Sequence, residues 1–245
     1  MPDGLRLVGH KGADLIAPGN TLESFHAAVD AGADTIELDM LWTRQGHPRR
    51  PAAERTPLVV AHDWHDAERR EPLTLTAALD AFTRPPLDGV EIDLDIKLPG
   101  REEEIVAAVR ERGLLERAMV STMELSTLAR IGELEPGLRR GWTYPRVTKD
   151  WASKRWAKAP MLAALLWMRE RLPGLAAREL PRMGVEAMWV YHPLVGPRLA
   201  RITKLAGVEL IAWTVDDLRR MNKLVAAGVN GICSNDPRLF AGIEG

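Results

Sequence analysis

Apolar and ionisable residues alternate most strictly over 89–97, where Val90, Ile92, Leu94 and Ile96 share one face and Glu91, Asp93, Asp95 and Lys97 the other. A period of two predicts a strand, and so many charges on a central strand demand partners, because isolated buried charge is very costly. A second clear pattern runs over 8–39, where a first strand ends at His10. Leu22, Phe25, Ala28 and Val29 then recur at helical spacing, with Asn20 as the expected N-cap, Glu23 closing a capping box and Gly32 ending the helix. The next strand, 35–39, turns Glu37 and Asp39 to one side and Leu38 and Met40 to the other. Two carboxylates on one face repel each other unless a proton or a cation lies between them.

The same rhythm continues along the chain. An Arg- and Pro-rich loop over 41–57 leads into a short strand over 58–62, followed by a helix over 73–82 with Thr74 or Thr76 as its cap. Beyond Lys97 the pattern predicts a helix over 102–112 closed by Gly113, a strand over 118–122, a helix over 125–133 and a strand over 139–144. The stretch 146–182 reads as a helical excursion of two or more helices broken by Pro160 and Pro173. Strand 187–192, helix 196–206, strand 209–215, helix 217–227 and strand 231–234 complete the series.

Strands alternating with helices predict a parallel sheet, and this many units favour a single-domain, closed (β/α)8 TIM-type barrel over 1–245 rather than an open sheet. Nine candidate strands stand where eight are wanted. Either 58–62 folds back as a hairpin partner of the strand before it, or one strand, foremost 139–144, is peripheral. In such barrels the chemistry gathers at the C-terminal ends of the strands. His10, Glu37, Asp39, His62, Asp95, Lys97 and Trp213 all fall near those ends.

Composition narrows the classes. A chain of 245 residues with 46% hydrophobic content can bury a full core, and a formal net charge of -1 gives no reason to expect nucleic acid. The single cysteine, Cys233, leaves no internal disulfide and no multi-cysteine metal site. The first strand begins too early for a signal peptide's apolar core, and the apolar run over 161–168 is far shorter than the ~20 residues of a membrane span, so a soluble cytoplasmic protein is expected. Charge is nevertheless uneven. The segment 138–182 holds eleven Lys/Arg against three acids, together with four of the eight tryptophans. Trp beside Lys and Arg on amphipathic helices suits peripheral contact with an anionic membrane, the alternative being tryptophans that pack onto the barrel.

Taken in order, His10-Lys-Gly, Gly19-Asn-Thr, Ser24-Phe, Ala31-Gly-Ala, Glu37-Leu-Asp39, His62-Asp63, Asp95-Ile-Lys97, Ser121, Trp213-Thr-Val and the run from Gly228 through Cys233-Ser-Asn-Asp-Pro237 resemble the motifs of the glycerophosphodiester phosphodiesterases. The resemblance implies a (β/α) barrel and metal-dependent hydrolysis of a glycerophosphodiester to glycerol 3-phosphate and an alcohol. It matches Glu37 and Asp39 to the family's paired metal ligands, Asp95 to a third that is usually glutamate, and His10 and His62 to its catalytic histidines. Lys11 and Lys97 match phosphate-contacting cations, and Trp213 an aromatic residue at the mouth. Lys11 stands where arginine is usual, and Gly19 where glutamate is. The segment after the third strand, between His62 and Asp95, is short and lacks most of the family's helical insertion.

The residues agree with that chemistry. Three carboxylates without cysteine suit a hard divalent cation, Mg2+ or Ca2+ before Zn2+, and two histidines can divide base and acid duties near neutral pH. The expected partner is a small glycerophosphodiester. A lysophospholipase D-like or cyclising enzyme acting on lysophospholipid, or a catalytically weak phospholipid-binding barrel, are the other readings. His192 is expected to be a strand-end histidine satisfied by backbone, and Glu91 and Asp93 a salt-bridge layer deeper in the barrel.

Overall fold

Nine strands and eight helices alternate along the residues described by the computed structural model, 4–146 and 158–244. The strands are β1 (Arg6–Gly9), β2 (Thr35–Trp42), β3 (Leu58–Val60), β4 (Glu91–Ile96), β5 (Ala118–Thr122), β6 (Arg139–Tyr144), β7 (Ala187–Tyr191), β8 (Glu209–Trp213) and β9 (Gly231–Ser234). The helices are α1 (Leu22–Asp30), α2 (Trp64–Arg69), α3 (Leu75–Ala81), α4 (Glu102–Glu111), α5 (Leu125–Leu134), α6 (Lys158–Met183), α7 (Pro197–Ala206) and α8 (Leu218–Ala226). Eight of the strands are parallel neighbours in the order β1-β2-β4-β5-β6-β7-β8-β9, and β1 pairs with both β2 and β9, which closes the TIM-type barrel. The surplus strand is β3, antiparallel to the far end of β2, with Met40 opposite Val60. The hairpin alternative therefore holds, and β6 is an integral stave between β5 and β7.

Alternation along each strand sorts the side chains into two compartments. Ile36, Leu38, Met40, Ile92, Leu94 and Val120 point outward into the main core beneath the helices. Inside the barrel Val8, Met119, Ala187, Trp189, Ile211 and Cys233 form a smaller cluster. The N-terminal end of the barrel is closed by charge. Arg6 donates to Glu91, to Glu209 at 3.1 Å and to Thr35 Oγ1 at 3.1 Å, and Arg139 donates to Glu91 at 2.7 Å. Glu91 thus joins an ion-pair layer as expected, but Asp93 does not, since the arginines lie one row below it.

Two local expectations are corrected. The cap of α1 is Thr21, whose Oγ1 accepts from Ser24 N at 3.2 Å while Ser24 Oγ accepts from Thr21 N at 3.4 Å; Asn20 and Glu23 are not the capping pair. Asn20 instead adopts φ 61° and spends its amide on Asp39, donating to Oδ2 at 2.9 Å and accepting from Asp39 N at 3.0 Å. The second correction is α6, which continues through Pro173 and Pro181. An interior proline costs a helix ~3 kcal/mol, but Leu172, Ala176 and Leu180 are buried on one face and anchor it against the barrel. The remainder of the expected excursion, 147–157, lies outside the described residues. Among the described residues no helix is long and apolar enough to cross a membrane.

Candidate active site

Register builds the acidic half of the site. Glu37 lies beside Asp93 and Asp39 beside Asp95 across β2 and β4, so two rows of carboxylates face the barrel interior, and all four are buried. Lys97, just past the end of β4, ion-pairs with Asp95 and places Nζ 2.5 Å from Asp39 Oδ1. Glu37, Asp39 and Asp95 each offer an oxygen, and these lie within 4.8 Å of one another. Burial, reinforced by the charge on Asp39, pushes the Glu37 carboxyl well above its usual range, and burial raises Asp93 and Asp95 too. Asp39 moves the other way. Burial is its largest single influence and opposes charge, but Lys97 and then His62 outweigh it. Three carboxylates that each offer an oxygen to one point, with no sulfur donor among them, fit a hard divalent cation.

The histidines enter from opposite flanks. His10, one residue past β1, donates from Nδ1 to Asn235 Oδ1 at 2.6 Å, while Nε2 lies 4.0 Å from Glu37 Oε2. Asn235 cannot turn its amide around, because Nδ2 donates to Asp216 Oδ2 at 2.7 Å and its backbone N–H to Asp216 Oδ1 at 2.8 Å. Asp216 therefore fixes Asn235, and Asn235 fixes the His10 tautomer with the proton on Nδ1 and a free lone pair on Nε2. Burial lowers the His10 pKa to about 4, so the ring is neutral at pH 7. His62 follows the β3 hairpin; its Nδ1 lies 3.2 Å from Asp39 Oδ2, and about half of its side chain is exposed.

Lys11 has φ 52°, donates its backbone N–H to Glu37 Oε2 at 2.8 Å and turns Nζ to Asp14 Oδ2 at 3.2 Å. Asp14 Oδ1 accepts from Gly19 N at 2.9 Å, and a Cβ on Gly19 would sit 2.5 Å from that oxygen. The missing side chain at position 19 is thus the condition for Asp14 to hold Lys11. Neither Asp14 nor Asp216 is singled out by the sequence, because both act only through contacts made in the fold.

His10, Glu37, His62, Asp95, Lys97 and Trp213 line one cavity of about 570 Å3 at the C-terminal mouth, with Asp39 behind the wall. Its far side carries Ser121, Thr143 and Trp189. Ser121 Oγ donates to Asp93 Oδ2 at 2.7 Å, whereas Asp93 Oδ1, Thr143 Oγ1, Trp189 Nε1 and Trp213 Nε1 are buried without hydrogen-bond partners. Trp189 reaches across Gly141, where a Cβ would lie 2.6 Å from its Nε1. His192 is outside the cavity wall, and its Nδ1 accepts from the Arg220 side chain at 3.1 Å rather than from backbone.

The chain matches the Glycerophosphoryl diester phosphodiesterase family over residues 10–49 and 74–239, the intervening gap containing β3 and His62. It is 27% identical over 263 residues to a glycerophosphodiester phosphodiesterase of Caldanaerobacter subterraneus subsp. tengcongensis, covering 94% of each chain. Its fold is shared with a glycerophosphodiester phosphodiesterase from Parabacteroides distasonis, with TM-score 0.71, 18% identity and 98% of both chains covered. It is shared also with an Oleispira antarctica phosphodiesterase solved in complex with the product sn-glycerol-3-phosphate, with TM-score 0.67, 20% identity and coverage of 97% and 95%. A closed barrel with this cavity at its mouth and a family match over most of its length place the chain in the glycerophosphoryl diester phosphodiesterase family.

Proposed function

We propose that the mouth hydrolyses a glycerophosphodiester to glycerol 3-phosphate and an alcohol, with Glu37, Asp39 and Asp95 holding one Mg2+ or Ca2+ and His10 and His62 moving protons. The observation that carries this reading is the set of three carboxylate oxygens within 4.8 Å of one another, two of them on residues, Glu37 and Asp95, that line the same cavity as the two histidines. The names of the relatives support the substrate class, and the product complex of the Oleispira protein supports a glycerol phosphate ligand on this fold. A divalent cation in that triad supplies neutralisation of the diester's charge and Lewis acidity toward its phosphoryl oxygens.

The proton steps belong to the chain's own residues. His10, neutral and held by Asn235 with its Nε2 lone pair free, takes the proton from the attacking oxygen, which is water or, in a two-step route, the glycerol 2-hydroxyl, whose cyclic phosphate a water then opens to glycerol 3-phosphate. His62, oriented by Asp39 and open to solvent, gives a proton to the departing alkoxide. Lys97 holds positive charge beside the phosphoryl oxygens, and Lys11 adds to it under the control of Asp14. The wall beyond the charged groups, with Ser121, Thr143, Trp189 and Trp213, encloses the glycerol phosphate.

The test is product release from glycerophosphocholine with Mg2+, with Ca2+ and with chelator, in wild type and in His10→Ala. Turnover that needs the cation and falls away in the variant supports the reading. Undiminished turnover in chelator, or in the variant, overturns it.

A further inference from the structure

The exposed large hydrophobic side chains are not scattered. In a (β/α) barrel the loops after each strand and the N-terminal ends of the helices share the side of the mouth, while helix C-terminal ends share the opposite side. Leu15 and Ile16 lie in the loop between β1 and α1, and Leu22 is the first residue of α1. Leu125 is the first residue of α5, and Leu162, Leu166 and Trp167, each nearly 60% exposed, stand in the N-terminal turns of α6. Among the described residues only Leu205, near the end of α7, is a comparable side chain on the far side.

Around the ring β1 and β6 are diametrically opposed, so α1 and α6 flank the mouth from opposite sides. Two apolar ridges across an opening match a flat surface, whereas a peptide would seek one continuous groove. On α6 the pairs Leu162/Leu166 and Ala163/Trp167 are each four residues apart, which makes two adjacent apolar rows. The next turn presents exposed Arg169 and Arg171, with the Arg171 guanidinium 4.8 Å from the centre of the Trp167 ring. The surrounding segment, 138–182, carries the chain's excess of positive charge. Apolar rows collared by arginine and tryptophan are the composition of a helix lying in an anionic lipid interface.

We propose that this mouth-side rim docks on an anionic phospholipid surface and so presents the headgroup of a membrane-resident lysophospholipid to the cavity. The identity of that substrate rests on the function proposed above; the docking does not. One experiment on the full chain tests the docking and keeps it apart from the proposed function. Co-sedimentation is measured with vesicles of phosphatidylcholine alone and of phosphatidylcholine with phosphatidylglycerol, alongside turnover of soluble glycerophosphocholine.

Wild type is expected to partition onto the anionic vesicles and to come off as salt screens the arginines. The combined variant Leu162→Ser/Leu166→Ser/Trp167→Ser is expected to bind about tenfold or more weakly. Its turnover of glycerophosphocholine should equal wild type, and Leu205→Ser, on the far side, should bind like wild type. The docking is overturned if wild type ignores anionic vesicles, if the triple variant binds as tightly, or if the apolar rows prove to be covered by a second copy, seen as a dimer in sedimentation that the triple variant abolishes. Loss of glycerophosphocholine turnover in wild type would count against the proposed function and leave the vesicle result standing.

Discussion

The two ends of the barrel interior are built from the same strands and the same residue types, and they use charge in opposite ways. At the closed end Arg6 and Arg139 face Glu91 and Glu209, two cations against two anions. Burial is the largest single influence on Arg6 and Glu91 and opposes charge on both. Ion pairing outweighs it, raising Arg6 and lowering Glu91. At the mouth Glu37, Asp39, Asp93 and Asp95 gather around Lys97, while Lys11 is engaged by Asp14. There three of the four carboxyls are pushed up by burial rather than held down by partners. A cluster whose charges are matched closes a barrel; one whose charges are unmatched is shaped for something that arrives from outside.

Substitutions at the two ends should therefore fail differently. His10→Ala should lower kcat by roughly 10²–10⁴-fold with a smaller fall in melting temperature than Glu91→Gln, since it removes a proton acceptor and one hydrogen bond to Asn235 but no ion pair. Glu91→Gln should do the reverse. It strands Arg6 and Arg139 in a partly exposed layer and should cost about 2–3 kcal/mol in denaturant unfolding, between the values for surface and buried pairs, with activity per folded molecule retained. Gly19→Ala probes the Lys11 support: the new Cβ displaces Asp14, and roughly a tenfold fall in kcat/KM is expected without loss of fold.

Asp93→Asn should raise stability at neutral pH by about 1 kcal/mol. Its folded carboxyl lies above its unfolded value, so the folded chain holds the proton more tightly and stability drains away as pH rises past the unfolded value; asparagine removes that loss. The smallest effect concerns His10. With a folded pKa of about 4 against its usual 6.5, the unfolded chain binds the extra proton between those values. Stability from this group is whole above pH 6.5 and falls as pH drops toward 4, and His10→Asn should flatten that limb in pH-dependent melting curves.

The sequence carried the strands and the site rows well, because a period of two both marks β2 and β4 and puts Glu37, Asp39 and Asp95 on one side. It carried less where two signals competed. Asn20 and Thr21 are both good caps, and only the pull of Asp39, reached through the fold, diverts Asn20 to the site. The prolines of α6 are local breakers overruled by burial of Leu172, Ala176 and Leu180. Asp93 looked like a member of the ion-pair layer because its row position is invisible until the barrel closes. The Asp216–Asn235–His10 relay was beyond reach for a similar reason, since it joins residues from the two ends of the chain.

The most direct test of the contrast between the two ends is thermal unfolding with and without Mg2+ or Ca2+ in wild type, Asp39→Asn and Glu91→Gln. A cation that binds only the folded mouth raises the melting temperature by mass action. The account predicts a cation-dependent rise in wild type and in Glu91→Gln, the latter from a lower starting point, and none in Asp39→Asn. A rise that survives Asp39→Asn, or no rise in wild type, would contradict it.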